Sequence, residues 1–256
     1  MARDTQAMKI DQDPHNRQKI VKGWNQQAVS EAKVAVIGAG ALGNEVMKLL
    51  LQMGVREVCL VDFDTIVPAN LNRCVFFTQQ DVNKPKAEVI AVKAKHAYPD
   101  SHVVPLLKKA EDLSENFWGA QDFVFSCLDS LGARLFVNAQ NYGKATLIDG
   151  GTTAFSGKVQ VVKAPSSCLE CGVSKSDYDR LWQKYNCIGE PVDWMDPKSP
   201  ALGSTTSIVA AVQVNEFVKE LHENPSLAGK YWFFDGLKAK SEVFEVPKRK
   251  NCPAHA

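Results

Sequence analysis

Six residues, Gly38-Ala39-Gly40-Ala41-Leu42-Gly43, have the composition and spacing of a loop that cradles phosphate. They lie between the apolar run Val34-Ala35-Val36-Ile37 and an apolar helical pattern through Met47, Leu50 and Leu51, giving strand, tight turn, helix. Glycine lets the backbone approach a phosphate closely, and the free amides at a helix start supply positive potential. Asp62 closes the next apolar run, Val58 to Val61, about twenty residues on, where a carboxylate can hold a ribose hydroxyl. Alone, this spacing suits a redox dinucleotide. Two further cations reopen the question of ligand. Arg73, in Asn70-Leu71-Asn72-Arg73, offers a planar fork to phosphate oxygens, and Lys86, in Lys84-Pro85-Lys86, offers a point charge. Either alone reads as a surface cation; together they suit a bound triphosphate from which pyrophosphate departs. Asp129, in Ser126-Cys127-Leu128-Asp129-Ser130, follows a later strand. It suits a magnesium ligand, because Mg2+ commonly takes only one or two carboxylates plus phosphate oxygens, or equally a helix cap.

The seven cysteines form an odd set spread through a large chain, which favours metal or catalytic roles over a disulfide framework. Cys59 and Cys127 sit inside apolar strand runs and read as small packed hydrophobes; Cys74 lies beside Arg73. Cys168-x-x-Cys171 and Cys252-x-x-His255 supply four soft or borderline ligands in two tight pairs, the arrangement of structural zinc. A redox pair competes for Cys168 and Cys171. The remaining thiol, Cys187 in Tyr185-Asn186-Cys187-Ile188-Gly189, has no histidine or helix start nearby to lower its pKa, and on its own reads as an inert loop thiol.

These residues must be carried by an alternation of elements. Strands are expected at Val34 to Ile37, Glu57 to Val61, Val103 to Leu107, Phe123 to Ser126 and Thr146 to Ile148, with helices at Leu42 to Met53, Pro85 to Tyr98, Leu113 to Trp118 and Leu131 to Tyr142. That order predicts an α/β fold, Rossmann-like and doubly wound, with a mostly parallel sheet. Ligands then bind beyond the carboxyl ends of the strands, where Gly38, Asp62 and Asp129 all fall. After Asp149-Gly150-Gly151, the alternating Lys158 to Val162 predicts an antiparallel C-terminal extension, followed by a long segment from Ala164 to Gly203, a helix from Thr205 to Leu221 and a hairpin of Tyr231 to Asp235 with Glu242 to Val246.

Thirty basic against twenty-nine acidic residues give a net charge of +1, which excludes the broad basic field of a nucleic-acid binder. The first fifteen residues lack the apolar core of a signal peptide, and no run approaches ~20 apolar residues. A cytoplasmic chain without membrane or nucleic-acid partners is expected.

Taken together, Gly38-x-Gly40-x-x-Gly43, Asp62-x-Asp64, Asn70-Leu71-Asn72-Arg73, Lys84-Pro85-Lys86 and Asp129 resemble the ubiquitin-activating-enzyme-like superfamily, which includes ubiquitin- and NEDD8-activating enzymes, MoeB and ThiF. The resemblance runs from Arg17 to His255. Ile148-Asp149-Gly150-Gly151-Thr152 and Ala201-Leu202-Gly203-Ser204-Thr205-Thr206 are closer to its ubiquitin and NEDD8 branches. Cys74, Ser130 and Thr206 depart from the usual pattern, at positions that bear on fine positioning and partner choice. The resemblance implies one ATP-binding adenylation domain over residues 1–256, with a helical arm at 1–32, a crossover loop at 164–204 and a zinc site at 168–171 and 252–255. The implied reaction is ATP-dependent adenylation of the C-terminal glycine of a small ubiquitin-like β-grasp protein ending in Gly-Gly. Asp62 would hold the ribose with Asp64 beside it, Asn70, Arg73 and Lys86 the phosphates, and Asp129 a magnesium ion. Arg17 would reach the ATP of a neighbouring subunit, implying a homodimer, and the four Cys and His ligands would hold zinc. Cys187 would accept the acyl group as a thioester before a conjugating enzyme receives it. The runner-up is the same adenylation serving a sulfur-carrier protein in molybdopterin, thiamin or tRNA thiolation. A nicotinamide dehydrogenase and a non-catalytic scaffold are the alternatives from other classes.

Overall fold

The computed structural model describes residues 12–174, Ser176, Tyr178 and residues 200–255. Two short helices, α1 (Asn16–Lys19) and α2 (Gln26–Glu31), precede β1 (Lys33–Ile37). Then follow α3 (Ala41–Met53), β2 (Glu57–Val61), α4 (Lys86–Ala97), β3 (His102–Leu106), α5 (Glu115–Gly119), β4 (Phe123–Ser126), α6 (Leu131–Asn141) and β5 (Thr146–Thr153). The C-terminal part contributes β6 (Ser156–Val162), α7 (Gly203–Leu221), β7 (Lys230–Asp235) and β8 (Lys240–Glu245).

The strands form one sheet in the order β3-β2-β1-β4-β5-β6-β7-β8. Pairing is parallel from β3 to β5 and antiparallel from β5 to β8. Because β1 lies between β2 and β4, the strand order reverses there and opens a crevice at the carboxyl ends of β1 and β4. The apolar run of β1 reflects burial on both faces. Val34 and Val36 pack with Val46, Met47 and Leu50 of α3 and with Val214 and Phe217 of α7, while Ala35 and Ile37 join Val137 of α6 and Trp118 of α5 on the other side.

One departure from the sequence expectation has a tertiary cause. β5 does not stop at Ile148 but continues through Asp149-Gly150-Gly151 to Thr153. These are poor strand formers, yet a Cβ on Gly150 would lie 2.5 Å from the Gln213 side chain of α7, and one on Gly151 would lie 2.9 Å from Arg134. The glycines admit two side chains against the strand. Helix α2 falls within the expected arm at 1–32. Asn25 accepts from the amide of Ala28 to cap it, but Val29 alone is buried among its six residues, too little for an apolar period. Helix α7 begins at Gly203, two residues before the expected start.

Phe217 is fully buried and meets Phe123 edge-on at a centroid separation of 4.8 Å. Phe217→Ala should lower the unfolding free energy by about 3–5 kcal/mol, read as a lower urea midpoint with an unchanged denaturant slope.

Candidate functional site

The glycines of the loop have different duties. Gly38 has φ +98°, and a Cβ there would sit 2.7 Å from the carbonyl oxygen of Cys127, at the end of β4. A Cβ on Gly43 would lie 1.9 Å from the carbonyl oxygen of Gly38. The fold requires both. A Cβ on Gly40, by contrast, would meet nothing within 4 Å. Gly40 is also the N-cap of α3, where the first helical amides lack intrahelical acceptors. The space above it is the kind of cradle that a phosphate fits.

The other loop contacts come from the end of β2. The amide of Gly38 donates to the carbonyl of Val61 at 2.8 Å, and the amide of Ala39 donates to Asp62 Oδ2 at 2.6 Å. Asp62 Oδ1 accepts from the Asp64 amide at 2.8 Å, which leaves lone pairs on both oxygens. Burial raises the Asp62 carboxyl above its ordinary range, opposed by the charge of Lys86 and by these amides. Lys86, the first residue of α4, is buried and pairs with Asp64 Oδ2 at 2.7 Å.

Arg73 follows a turn in which Asn70 Oδ1 accepts from the Val67 amide at 3.0 Å. Its Nη1 donates to the Ala69 carbonyl at 2.6 Å and to Asn72 Oδ1 at 2.8 Å, so the guanidinium is parked on its own loop. The start of α7 adjoins it, since a Cβ on Gly203 would lie 3.6 Å from Arg73 Cβ. Cys74 lies within the electrostatic reach of Arg73, Lys86 and Asp62, and burial pushes its thiol up to about 11. It packs as a hydrophobe rather than a nucleophile.

Asp129 is exposed and takes no hydrogen bond or ion pair among the described residues. The cap of α6 is Ser130, which accepts from the Ala133 amide, so the capping role considered for Asp129 falls to its neighbour. Glycine loop, Asp62, Asp64, Lys86, Asn70, Arg73 and the end of β4 therefore share one end of the sheet. Arg17 does not join them. Gln18 and Gln26, on the same arm, donate to the Met53 carbonyl at the far end of α3, about 20 Å along that helix from the glycine loop. Cys187 lies outside the described residues.

Three supporting residues had not been singled out. Arg134 of α6 holds the fully buried Asp149 through Nε–Oδ1 at 2.9 Å and a second bond from Nη2 to Oδ2, and the pair keeps the guanidinium charged against its burial. Gln213 of α7 donates to the carbonyls of Ile148 at 3.0 Å and Ser126 at 3.4 Å, tying the helix to the ends of β5 and β4. Asn44 of α3 is fully buried and donates to the carbonyls of Ala39 and Gly40, while accepting from the Phe76 amide. Its signal was a polar residue on the apolar stripe that continues through Met47 and Leu51.

A second site lies among the residues on the face of the sheet that packs with α5 and α6. Cys168, Cys171, Cys252 and His255 bring their ligand atoms within 4.8 Å of one another. Cys168 Sγ is 3.9 Å from Cys171 Sγ and 3.6 Å from Cys252 Sγ, and Cys171 Sγ is 3.0 Å from His255 Nε2. Two sulfurs on one tetrahedral zinc lie about 3.8 Å apart, given Zn–S bonds of about 2.3 Å. The four donors fit such an ion, whereas a redox pair would leave Cys252 and His255 without a part. The His255 ring stacks on Tyr142 at 4.8 Å, which fixes its plane.

Residues 14–254 match the sequence profile of the ThiF family. The NEDD8-activating enzyme E1 catalytic subunit of Schizosaccharomyces pombe is 31% identical over 325 residues, covering 94% of this chain and 72% of that protein. The corresponding Dictyostelium discoideum subunit is 35% identical over 159 residues, and there the match spans 56% of this chain and 36% of the subunit. The molybdopterin-synthase adenylyltransferase of Salmonella typhimurium is 25% identical, covering 93% of this chain and 94% of that protein. Among solved structures, E. coli MccB with ATP superposes with a TM-score of 0.77 at 18% identity, over 96% of this chain and 75% of that one, a likeness of fold.

Two experiments separate the duties of these residues. Gly43→Ala should lower the melting temperature by several degrees, whereas Gly40→Ala should leave it unchanged and weaken ATP binding at least tenfold by calorimetry. The purified chain should carry one equivalent of zinc by elemental analysis, and Cys252→Ala should remove it along with a measurable part of the thermal stability.

Proposed function

The chain belongs to the ThiF family, and from that premise we propose that it is an ATP-dependent adenylyltransferase acting on the carboxyl-terminal glycine of a small β-grasp protein. The observation that carries this reading is the gathering at one end of the sheet of the open cradle at Gly40, the cations Lys86 and Arg73, and Asp129, which has no partner among the described residues. ATP would lay its phosphates on the amides at the start of α3 and its ribose against the free lone pairs of Asp62, with Asp64 and Asn70 beside them. Arg73 would exchange its loop acceptors for phosphate oxygens, and Lys86 would neutralise charge from its place beside Asp64. Asp129 suits a magnesium ligand, and Mg2+ would supply further neutralisation of the triphosphate.

The substrate carboxylate is already ionised at neutral pH, so the reaction needs alignment and charge neutralisation rather than a base. Its oxygen attacks the α-phosphorus, the bond between that phosphorus and the bridging oxygen to the β-phosphate breaks, and pyrophosphate leaves on the cations. The product is an acyl adenylate. In the ubiquitin-like branch, the Cys187 thiolate would attack the acyl carbon and expel AMP, leaving a thioester for a conjugating enzyme. In the sulfur-carrier branch, a sulfur nucleophile from another protein would attack instead.

The alignment with S. pombe favours the first branch and that with the Salmonella protein keeps the second open. Arg17 lies too far from its own site to serve it and would act on a partner's ATP, consistent with a homodimer. The second site is assigned to structural zinc. Among the described residues, no helix is long and apolar enough to cross a membrane, and a cytoplasmic enzyme is proposed. A dehydrogenase would leave Arg73, Lys86 and Asp129 without a task.

ATP–pyrophosphate exchange dependent on a Gly-Gly protein tests the proposal. Wild type should exchange, and Asp129→Ala or Arg73→Ala should reduce the rate at least 100-fold. Cys187→Ala should retain exchange while losing a thiol-sensitive adduct if the thioester branch holds. Tight NADH binding without ATP binding would overturn the whole reading.

A further inference from the structure

Asn44 carries no chemistry of its own, yet each polar atom of its side chain is committed. Nδ2 donates to the carbonyl of Ala39 at 2.9 Å and to that of Gly40 at 3.0 Å, and Oδ1 accepts from the Phe76 amide at 3.1 Å, with Asn44 itself fully buried. The two carbonyls matter because peptide groups are planar and trans. Holding the carbonyl of Ala39 inward turns the amide of Gly40 outward, and holding that of Gly40 turns out the amide of Ala41. These are the first donors of the cradle. The third contact reaches a different segment. Phe76 stands three residues after Arg73, and its carbonyl accepts from Lys93 Nζ at 2.6 Å, so this stretch is gripped between Asn44 and α4.

We propose that Asn44 is a positioning residue that sets the register between the amides receiving the triphosphate and the arginine receiving the departing pyrophosphate. The inference rests on the adenylation reading. In-line displacement at the α-phosphorus requires the loop and Arg73 to be held in fixed relation, and a misplacement of about 1 Å costs on the order of 100-fold in rate. Asn44→Asp keeps the shape and the acceptor for Phe76, but turns a carboxylate on two carbonyl oxygens. Asn44→Ser keeps a hydroxyl able to donate to the Gly40 carbonyl four residues back, and loses Phe76.

The test is a double-mutant cycle on the full-length chain, with ATP, Mg2+ and a ubiquitin-like β-grasp protein ending in Gly-Gly as probes. Asn44→Ser, which frees the Phe76 segment, should lower kcat for exchange about 100-fold and shift KM for ATP less than about threefold, whereas Asn44→Asp, which keeps that segment but repels the cradle carbonyls, should raise KM for ATP as well. In an Arg73→Ala background Asn44→Ser should cost less than about threefold in kcat, because the segment it frees acts through Arg73. If the effects multiply independently, or if only the melting temperature moves, Asn44 is merely structural and the proposal fails. If Asn44→Asp does not fold, the cycle with Asn44→Ser decides under the same criterion. A wild-type chain that binds no ATP and performs no exchange defeats the adenylation reading instead, which keeps the two failures distinct.

Discussion

The site depends on a close approach that side chains would forbid. Helix α3 begins so near the end of β1 that a single methyl on Gly43 would overlap the carbonyl of Gly38, while Gly38 rests on the backbone of Cys127. That contact lets strand, turn and helix start follow one another within a few residues beside the end of β4, where the strand order reverses. Every other functional group is placed relative to this turn. Asp62 arrives by accepting from the Ala39 amide, and the Arg73 segment arrives through Asn44.

The charges of the site rest in pairs that the reaction would rearrange. Lys86 has little exposure but leans on an Asp64 that is half exposed, and Arg73 is satisfied by a carbonyl and an amide rather than by a carboxylate. Such contacts are weak enough for a polyphosphate to displace, since an ionised acceptor makes the stronger hydrogen bond. Deeper in the sheet the arrangement is different. Arg134 and Asp149 form a two-pronged, buried pair in which removal of one member would strand the other. The first set is built for exchange and the second for permanence.

Much of this was legible in the sequence because it followed local rules. The strand and helix at the glycine loop, the alternation of parallel units and the change to antiparallel pairing after Gly151 were visible in periodicity and in glycine positions. The four clustered ligands, Cys168, Cys171, Cys252 and His255, were visible as two spaced pairs, although nothing local indicates that residues so far apart would meet. What escaped depended on long-range contacts. The extension of β5 is permitted by Gln213 and Arg134, which come from other elements. Asn44 shows in the sequence only as a polar residue on the apolar stripe of α3, and its contact with Phe76 is long-range. Asp129 is ambiguous in the sequence because a carboxylate at a strand end has two uses, and the hydroxyl of Ser130 on the Ala133 amide takes the capping one. The distance of Arg17 from its own glycine loop could not be read from spacing at all.

The Cys and His ligand set joins positions 84 residues apart, as the Cys168–Cys252 and Cys171–His255 contacts show. Within the ring so closed lie α7 and the β7–β8 hairpin. For a loop of this length the chain-entropy view assigns such a crosslink about 4–5 kcal/mol, drawn from narrowing the unfolded ensemble rather than from any contact in the folded one. A bound ion would therefore fasten the segment after β6 to the segment after β8 and hold the antiparallel half of the sheet as one cooperative unit. Removing it would let the outer strands and α7 open together, and the helix start beside Arg73 would open with them.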